Sequence, residues 1–218
     1  LTAWWLALAF TSAAAAPVAY VPNEGSGTVS VIDTTSDRVV ADIATGGKPR
    51  GTVVSADGRR AWISDQPGNR LVVLDLEKRQ VAGAVALGES PEGLGLSPDG
   101  RWVAAAVEEG NEVVFVDTAS NTRQFAVKVQ GRNPEHAVFT PDSRLVFVSA
   151  EEGSAVDVID VQQRRQVGQV KVGARPRGIG FSTDGRSAYV AAEASNELYV
   201  IDVATLAVKQ KLAAGTRA

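Results

Sequence analysis

The feature that most constrains this chain is a repeat of about 42 residues. The aspartate that closes each apolar run falls at Asp33, Asp75, Asp117, Asp160 and Asp202, in steps of 42, 42, 43 and 42. Pro49, Pro91, Pro134 and Pro176 step by 42, 43 and 42, and so do Asp57, Asp99, Asp142 and Asp184. One inserted residue between Asp117 and Pro134 accounts for all three series. Three registers in phase mark one supersecondary unit repeated along the chain.

Each unit has the same grammar. A Gly-x-x-Pro opening (Gly46 to Pro49, Gly173 to Pro176) precedes a short first strand such as Gly178 to Phe181. A turn follows, Ser55-Ala-Asp57-Gly58 in one unit and Ser97-Pro-Asp99-Gly100 in the next. Asp-Gly favours a hairpin because glycine accepts positive φ without steric cost. A second strand (Ala61 to Ser64, Ala188 to Ala191), a third (Thr28 to Asp33) and a fourth (Val81 to Ala86, Val208 to Leu212) are marked by β-branched residues and period-two alternation. No segment after the leader has helical periodicity. Four short strands per unit predict an all-β fold, a β-propeller of four-stranded blades. One such sheet cannot bury both its faces, whereas stacked blades bury each other's.

The units end near residues 46, 88, 131, 173 and 215, which gives about five blades. The first begins at its second strand, Ala19 to Val21, so the reading is four whole blades and three strands of another, part of a seven-bladed ring. An open array that closes by self-association is the alternative. The apolar run Ala3 to Phe10, followed by Thr11-Ser12 and the small residues Ala13 to Ala16, reads as a secretory signal lacking its first residues. The domain reading is therefore 1–16 signal and 17–218 propeller, with cleavage near Ala15 and a periplasmic or extracellular destination. An apolar first strand or helix of the fold is the competing reading of that run. The run is too short to cross a bilayer as a helix.

The second-strand quartets carry a family resemblance. Tyr20-Val-Pro-Asn23, Trp62-Ile-Ser-Asp65, Phe147-Val-Ser-Ala150 and Tyr189-Val-Ala-Ala192 occupy one position, with Ala104-Ala-Ala-Val107 departing from it. With the Val-Ile-Asp endings and the Ser-Pro-Asp-Gly turn, the chain from Val18 onward resembles the YVTN family of bacterial β-propeller repeat proteins. Asn23 to Asp33 and Lys48-Pro-Arg-Gly51 are most similar to members associated with pyrroloquinoline-quinone-dependent oxidation. The resemblance implies an accessory or binding role. Some related propellers hold haem d1 through histidines. The single histidine here, His136, argues against that and excludes a multi-histidine metal site. The chain has no cysteine, so thiolate zinc sites, disulfides and a cysteine nucleophile are excluded.

In a propeller the first strand of each blade lines the central channel. The residues after each repeat proline, Arg50, Glu92, Glu135 and Arg177, are thus expected to ring one mouth. The next position is Gly51, Gly93, His136 and Gly178, so His136 replaces a glycine near the axis. His136 is read either as a ligand contact or as drift in the repeat. The Arg, Glu, Glu, Arg series is read as an anion or zwitterion site, or as ion pairs between neighbouring blades. The loops between strands two and three add Asp65, Arg70, Glu108, Glu109, Asn111, Glu151, Glu152, Glu193 and Asn196, an acidic rim suited to cations or a basic partner. No dense calcium loop is present. The aspartates that end strand three repeat in every unit and are read as turn caps rather than acids of a reaction.

G-x-S-x-G, P-loop, complete G-x-G-x-x-G and HExxH motifs are all absent. The reading is a non-enzymatic, exported binding or scaffold propeller for a partner protein or small ligand. It assigns no cofactor and no catalytic residue. The ligand-binding candidates are Arg50, Glu92, Glu135, His136 and Arg177. The alternatives are a lactonase- or lyase-like enzyme at the channel mouth, and a nucleic-acid binder, against which the acidic rim and the net charge of −3 both count.

Overall fold

Short alternating runs broken by Asp, Asn and Gly every eight to twelve residues can form only antiparallel hairpins in succession, and the computed structural model, which describes residues 17–216, shows this. The first sheet holds β1 (Val18–Asn23), β2 (Thr28–Asp33) and β3 (Arg38–Ala44). The second holds β4 (Pro49–Val54), β5 (Arg60–Asp65), β6 (Arg70–Asp75) and β7 (Gln80–Ala86). The third has β8 (Pro91–Leu96), β9 (Trp102–Val107), β10 (Glu112–Asp117) and β11 (Thr122–Lys128). The fourth has β12 (Pro134–Phe139), β13 (Leu145–Ala150), β14 (Ala155–Asp160) and β15 (Arg165–Lys171). The fifth has β16 (Pro176–Phe181), β17 (Ser187–Ala192), β18 (Glu197–Asp202) and β19 (Val208–Ala213). Each sheet runs in chain order, so the molecule is a β-propeller of up-and-down blades. One 3₁₀ turn, Glu193–Ser195, interrupts the strands. Among the described residues no helix is long and apolar enough to cross a membrane. The expected signal segment lies outside the described residues.

Four hydrophobic clusters hold the blades together, one at each junction. Between the third and fourth blades, Phe115 and Val127 meet Ala137, Phe139 and Val148. Between the second and third, Trp62 and Leu71 meet Val103 and Val114. The other junctions repeat the scheme, with Ile43 on Ile63 and Leu74, and Phe147 on Val190 and Ile201. Fully burying one such side chain contributes about 1.5–3 kcal/mol. The repeat is thus what builds the core, because no blade has a core of its own.

The turn chemistry is equally regular. Ser55, Ser97, Thr140 and Ser182 each donate a hydroxyl to the aspartate two residues on, at 2.6 Å. Those aspartates accept the N–H of Arg59, Arg101, Arg144 and Arg186 at 3.0 Å. The strand-three aspartates cap the following turn as expected. Asp33, Asp75, Asp117, Asp160 and Asp202 each accept backbone N–H groups two or three residues ahead.

Candidate functional site

The first strand of each blade lies innermost, and it starts irregularly. Pairing with the second strand breaks between Pro49 and Thr52, Pro91 and Leu94, Pro134 and His136, and Pro176 and Ile179. The residues skipped by the ladder include Arg50, Glu92, Glu135 and Arg177. A bulge releases side chains from the alternation of the strand and re-aims them. It brings all five predicted residues, Arg50, Glu92, Glu135, His136 and Arg177, to one cleft of about 270 Å³ at the channel mouth, with Glu24, Gly51 and Gly93 completing its wall.

At the next position Gly51 and Gly93 are required by the approach of neighbouring backbones. A Cβ on Gly51 would lie 2.7 Å from the Glu92 carbonyl, and one on Gly93 would lie 2.6 Å from that of Glu135 and 2.8 Å from the His136 ring. Serines on the second strand anchor this segment. Gly51 N–H donates to Ser64 Oγ at 2.8 Å and His136 N–H to Ser149 Oγ at 3.1 Å. Ser64 in turn donates to the Glu92 carbonyl across the blade junction, at 2.6 Å.

The charges at the mouth pair between blades. Arg50 Nη1 meets Glu92 Oε2 at 2.5 Å, and its Nε reaches Glu24 at 3.2 Å. Arg177 Nη1 meets Glu135 at 2.5 Å, while its other nitrogens reach Glu151 and Glu193, both at 3.1 Å. Gln66 donates to Glu92 at 2.6 Å, and Ser90 links Glu92 to Glu108. The Arg, Glu, Glu, Arg series is thus a set of inter-blade ion pairs. Glu92 and Glu135 are only 3% and 5% exposed. Burial pushes Glu92 up to about 7, against the pull of Arg50 and with the help of Glu135 and Glu108. Burial raises Glu135 as well, with Arg177 opposing it. Burial holds His136 below 6.5, reinforced by Arg177 and Arg50, so its ring is neutral at pH 7. Its Nδ1 is buried with no hydrogen-bond partner among the described residues.

Summed over the mouth, Glu24, Glu92, Glu108, Glu135, Glu151 and Glu193 outnumber Arg50, Arg175 and Arg177. Glu24 and Gln66 escaped the sequence reading, although a signal for them exists. The residue just after each second-strand quartet is Glu24, Gln66, Glu108, Glu151 and Glu193, a repeating acid or amide. Of the other rim residues, Asp65 and Arg70 pair with each other at 2.8 Å, Asn111 accepts the N–H of Asn133, and Glu152 leans to Arg132 at 3.6 Å. Asn196 caps the 3₁₀ turn in the left-handed conformation. Among the described residues no group of three or more His, Asp or Glu side chains is placed to hold a metal ion.

Fold and mouth together define a repeat β-propeller with a charged axial cleft. The profile of the cytochrome D1 heme domain family matches residues 106–218, just over half of the chain, and the chain belongs to that family. No curated protein is similar enough in sequence to count as a relative. Among solved structures it is similar to hydrazine synthase of Kuenenia stuttgartiensis, with a TM-score of 0.80 and 18% identity, over 90% of this chain and 62% of that one. At that identity the likeness concerns the fold, and this chain spans less than two thirds of that protein.

The family name implies a haem, and the residues of the mouth do not fit one. A haem needs an axial donor and walls that cover the two faces of its ring. Apart from the His136 imidazole, the cleft is lined by glycine, arginine and glutamate, none of which would cover the apolar faces of a ring, and its guanidiniums are already paired with glutamates.

Proposed function

We propose that this chain is an exported, non-enzymatic binding propeller whose acidic mouth receives a cationic group, carried by a partner protein or a small ligand. The observation that carries this reading is the surplus of carboxylates around Glu92 and Glu135, two buried acids of adjacent blades each paired with one arginine. A cleft with that balance attracts positive charge and repels anions. The apolar run Ala3 to Phe10 supports export, and the YVTN-like quartets support an accessory role beside quinoprotein oxidation.

Calorimetric titration with a hexalysine peptide and with putrescine tests the reading. Binding that weakens as salt rises is expected, with Glu92→Gln and Glu135→Gln each loosening it about tenfold. No heat with either cation, or unchanged affinity in both variants, contradicts it. A second reading is acid/base catalysis of a lactonase or lyase kind. It is favoured by one observation, a buried carboxyl in a cleft poised near neutrality at Glu92. Turnover of a lactone panel that disappears in Glu92→Gln supports it, and no turnover rejects it.

A further inference from the structure

The hairpin turns at the end of the blades opposite the mouth line grooves between neighbours, and one groove differs from the rest. It lies between the third and fourth blades and encloses about 440 Å³. On β11, Phe125 sits opposite Phe115, where the other blades place Ala41, Gly83, Gly168 and Gln210 at the same register. Trp102 starts β9 where the other four-stranded blades have Arg60, Leu145 and Ser187. The two rings meet edge to face at 5.6 Å, and Phe125 stacks on Phe115 at 4.5 Å. An aromatic pair therefore stands where the other blades have no aromatic residue.

Two guanidiniums sit over the rings of this wall. Arg101 covers Trp102 at 4.8 Å, and Arg164, reaching over from the fourth blade, covers Phe125 at 4.7 Å. Among the described residues neither is in an ion pair, whereas Arg144 beside them leans to Asp142 and Asp160, each at 3.8 Å. The neighbouring grooves are satisfied internally. Between the second and third blades, Arg59 pairs with Glu77 at 3.1 Å, Arg60 donates to the Thr118 carbonyl, and Asn121 accepts from Trp62. In the fifth blade Leu206, at the position of Arg164, fills the space over Gly168.

A guanidinium stacked on a ring keeps its N–H edges free. Held over the ring, it loses less freedom than a free side chain when it forks onto a carboxylate, which is the pairing its planar geometry suits. We propose that the groove between the third and fourth blades binds an acidic peptide segment of a partner protein, with Arg101 and Arg164 forking its carboxylates against the Trp102–Phe125 wall. The groove is open at the rim, so it suits an extended chain better than an enclosed small molecule. This site is independent of the mouth and lies on the other face, and its lining sets Arg101, Arg144 and Arg164 against Asp99 and Asp142, whose carboxylates are already engaged by Ser97 and by Thr140 and Arg144.

Fluorescence anisotropy of a labelled hexaglutamate peptide, titrated with the whole chain at low salt, tests the proposal. Saturable binding is expected, at least tenfold weaker in Arg101→Gln and in Arg164→Gln. Arg164→Lys should lose most of that affinity too, since charge is kept while the fork is lost. Lys171→Gln, an exposed charge on β15 away from the groove, should leave it unchanged. Free glutamate competing as well as the peptide would contradict a segment site. Unchanged affinity in both glutamine variants, or no binding, would overturn the proposal. Circular dichroism melts of the variants separate loss of the site from loss of the fold.

Discussion

Glu92 sits between opposing forces, and the balance sets how the protein responds to pH. Its carboxyl is withdrawn from water beside Glu135 and Glu108, and only Arg50 and neighbouring donors favour its charge. The folded state therefore holds its proton to about 7, well above the ordinary 4.5. A carboxyl raised in this way adds stability that is complete below the unfolded value and lost as pH climbs through the folded one. Thermal melts of the wild type are expected to fall between about pH 4.5 and about pH 7 relative to those of Glu92→Gln, whose side chain does not titrate. Parallel curves for the two proteins would show that Glu92 titrates as an ordinary exposed acid. His136 runs the other way. Its depressed pKa keeps the ring neutral, so its charge does not compete with a cation entering the mouth at pH 7.

The inner strands show how one element can be crowded at some junctions and roomy at others. Gly93 faces the backbone of β12 so closely that a methyl group has no space, whereas a Cβ on Gly178 would meet only Ala191, at 4.0 Å. Overpacking of this kind costs about 1–3 kcal/mol. In a strand without such a clash, alanine in place of glycine gains about 0.5–1 kcal/mol. Urea denaturation is expected to show Gly93→Ala destabilised by about 2 kcal/mol and Gly178→Ala unchanged or slightly stabilised. Equal effects would mean that the two junctions are alike. Strands and turns were legible from the repeat because each is dictated locally, by alternation and by Asp-Gly chemistry. The bulge that frees Arg50, Glu92, Glu135 and Arg177 was not, since it arises from fitting inner strands around an axis. The aromatic wall at Phe125 was not legible either, since its partner Arg164 is brought over by the fold from the next blade.

Across the whole molecule the blades form one stack with two chemically different faces. The second strands β9 and β13 are buried along their whole length, while β1 and β17 expose Val18, Val21 and Tyr189 at about two fifths of their surface. Apolar sheet faces of the first and last blades thus remain open to further contact. The axial mouth is acidic, and the groove between the third and fourth blades is basic at its aromatic wall. Residue positions around the mouth could be read from the repeat alone, because spacing of about 42 residues places equivalent positions side by side. Their pairing could not, because whether Glu135 meets Arg177 or Arg50 depends on burial and side-chain reach. The proposed cation site lies where Arg50, Glu92, Glu135 and Arg177 converge, and His136 provides a reporter there as the one histidine of the chain. Its imidazole Cε1 proton gives a single resonance that can be followed by NMR during hexalysine titration. A saturable shift is expected, with the same midpoint as the calorimetric binding and abolished in Glu92→Gln/Glu135→Gln. Hexalysine binding that leaves the His136 resonance unmoved would contradict it.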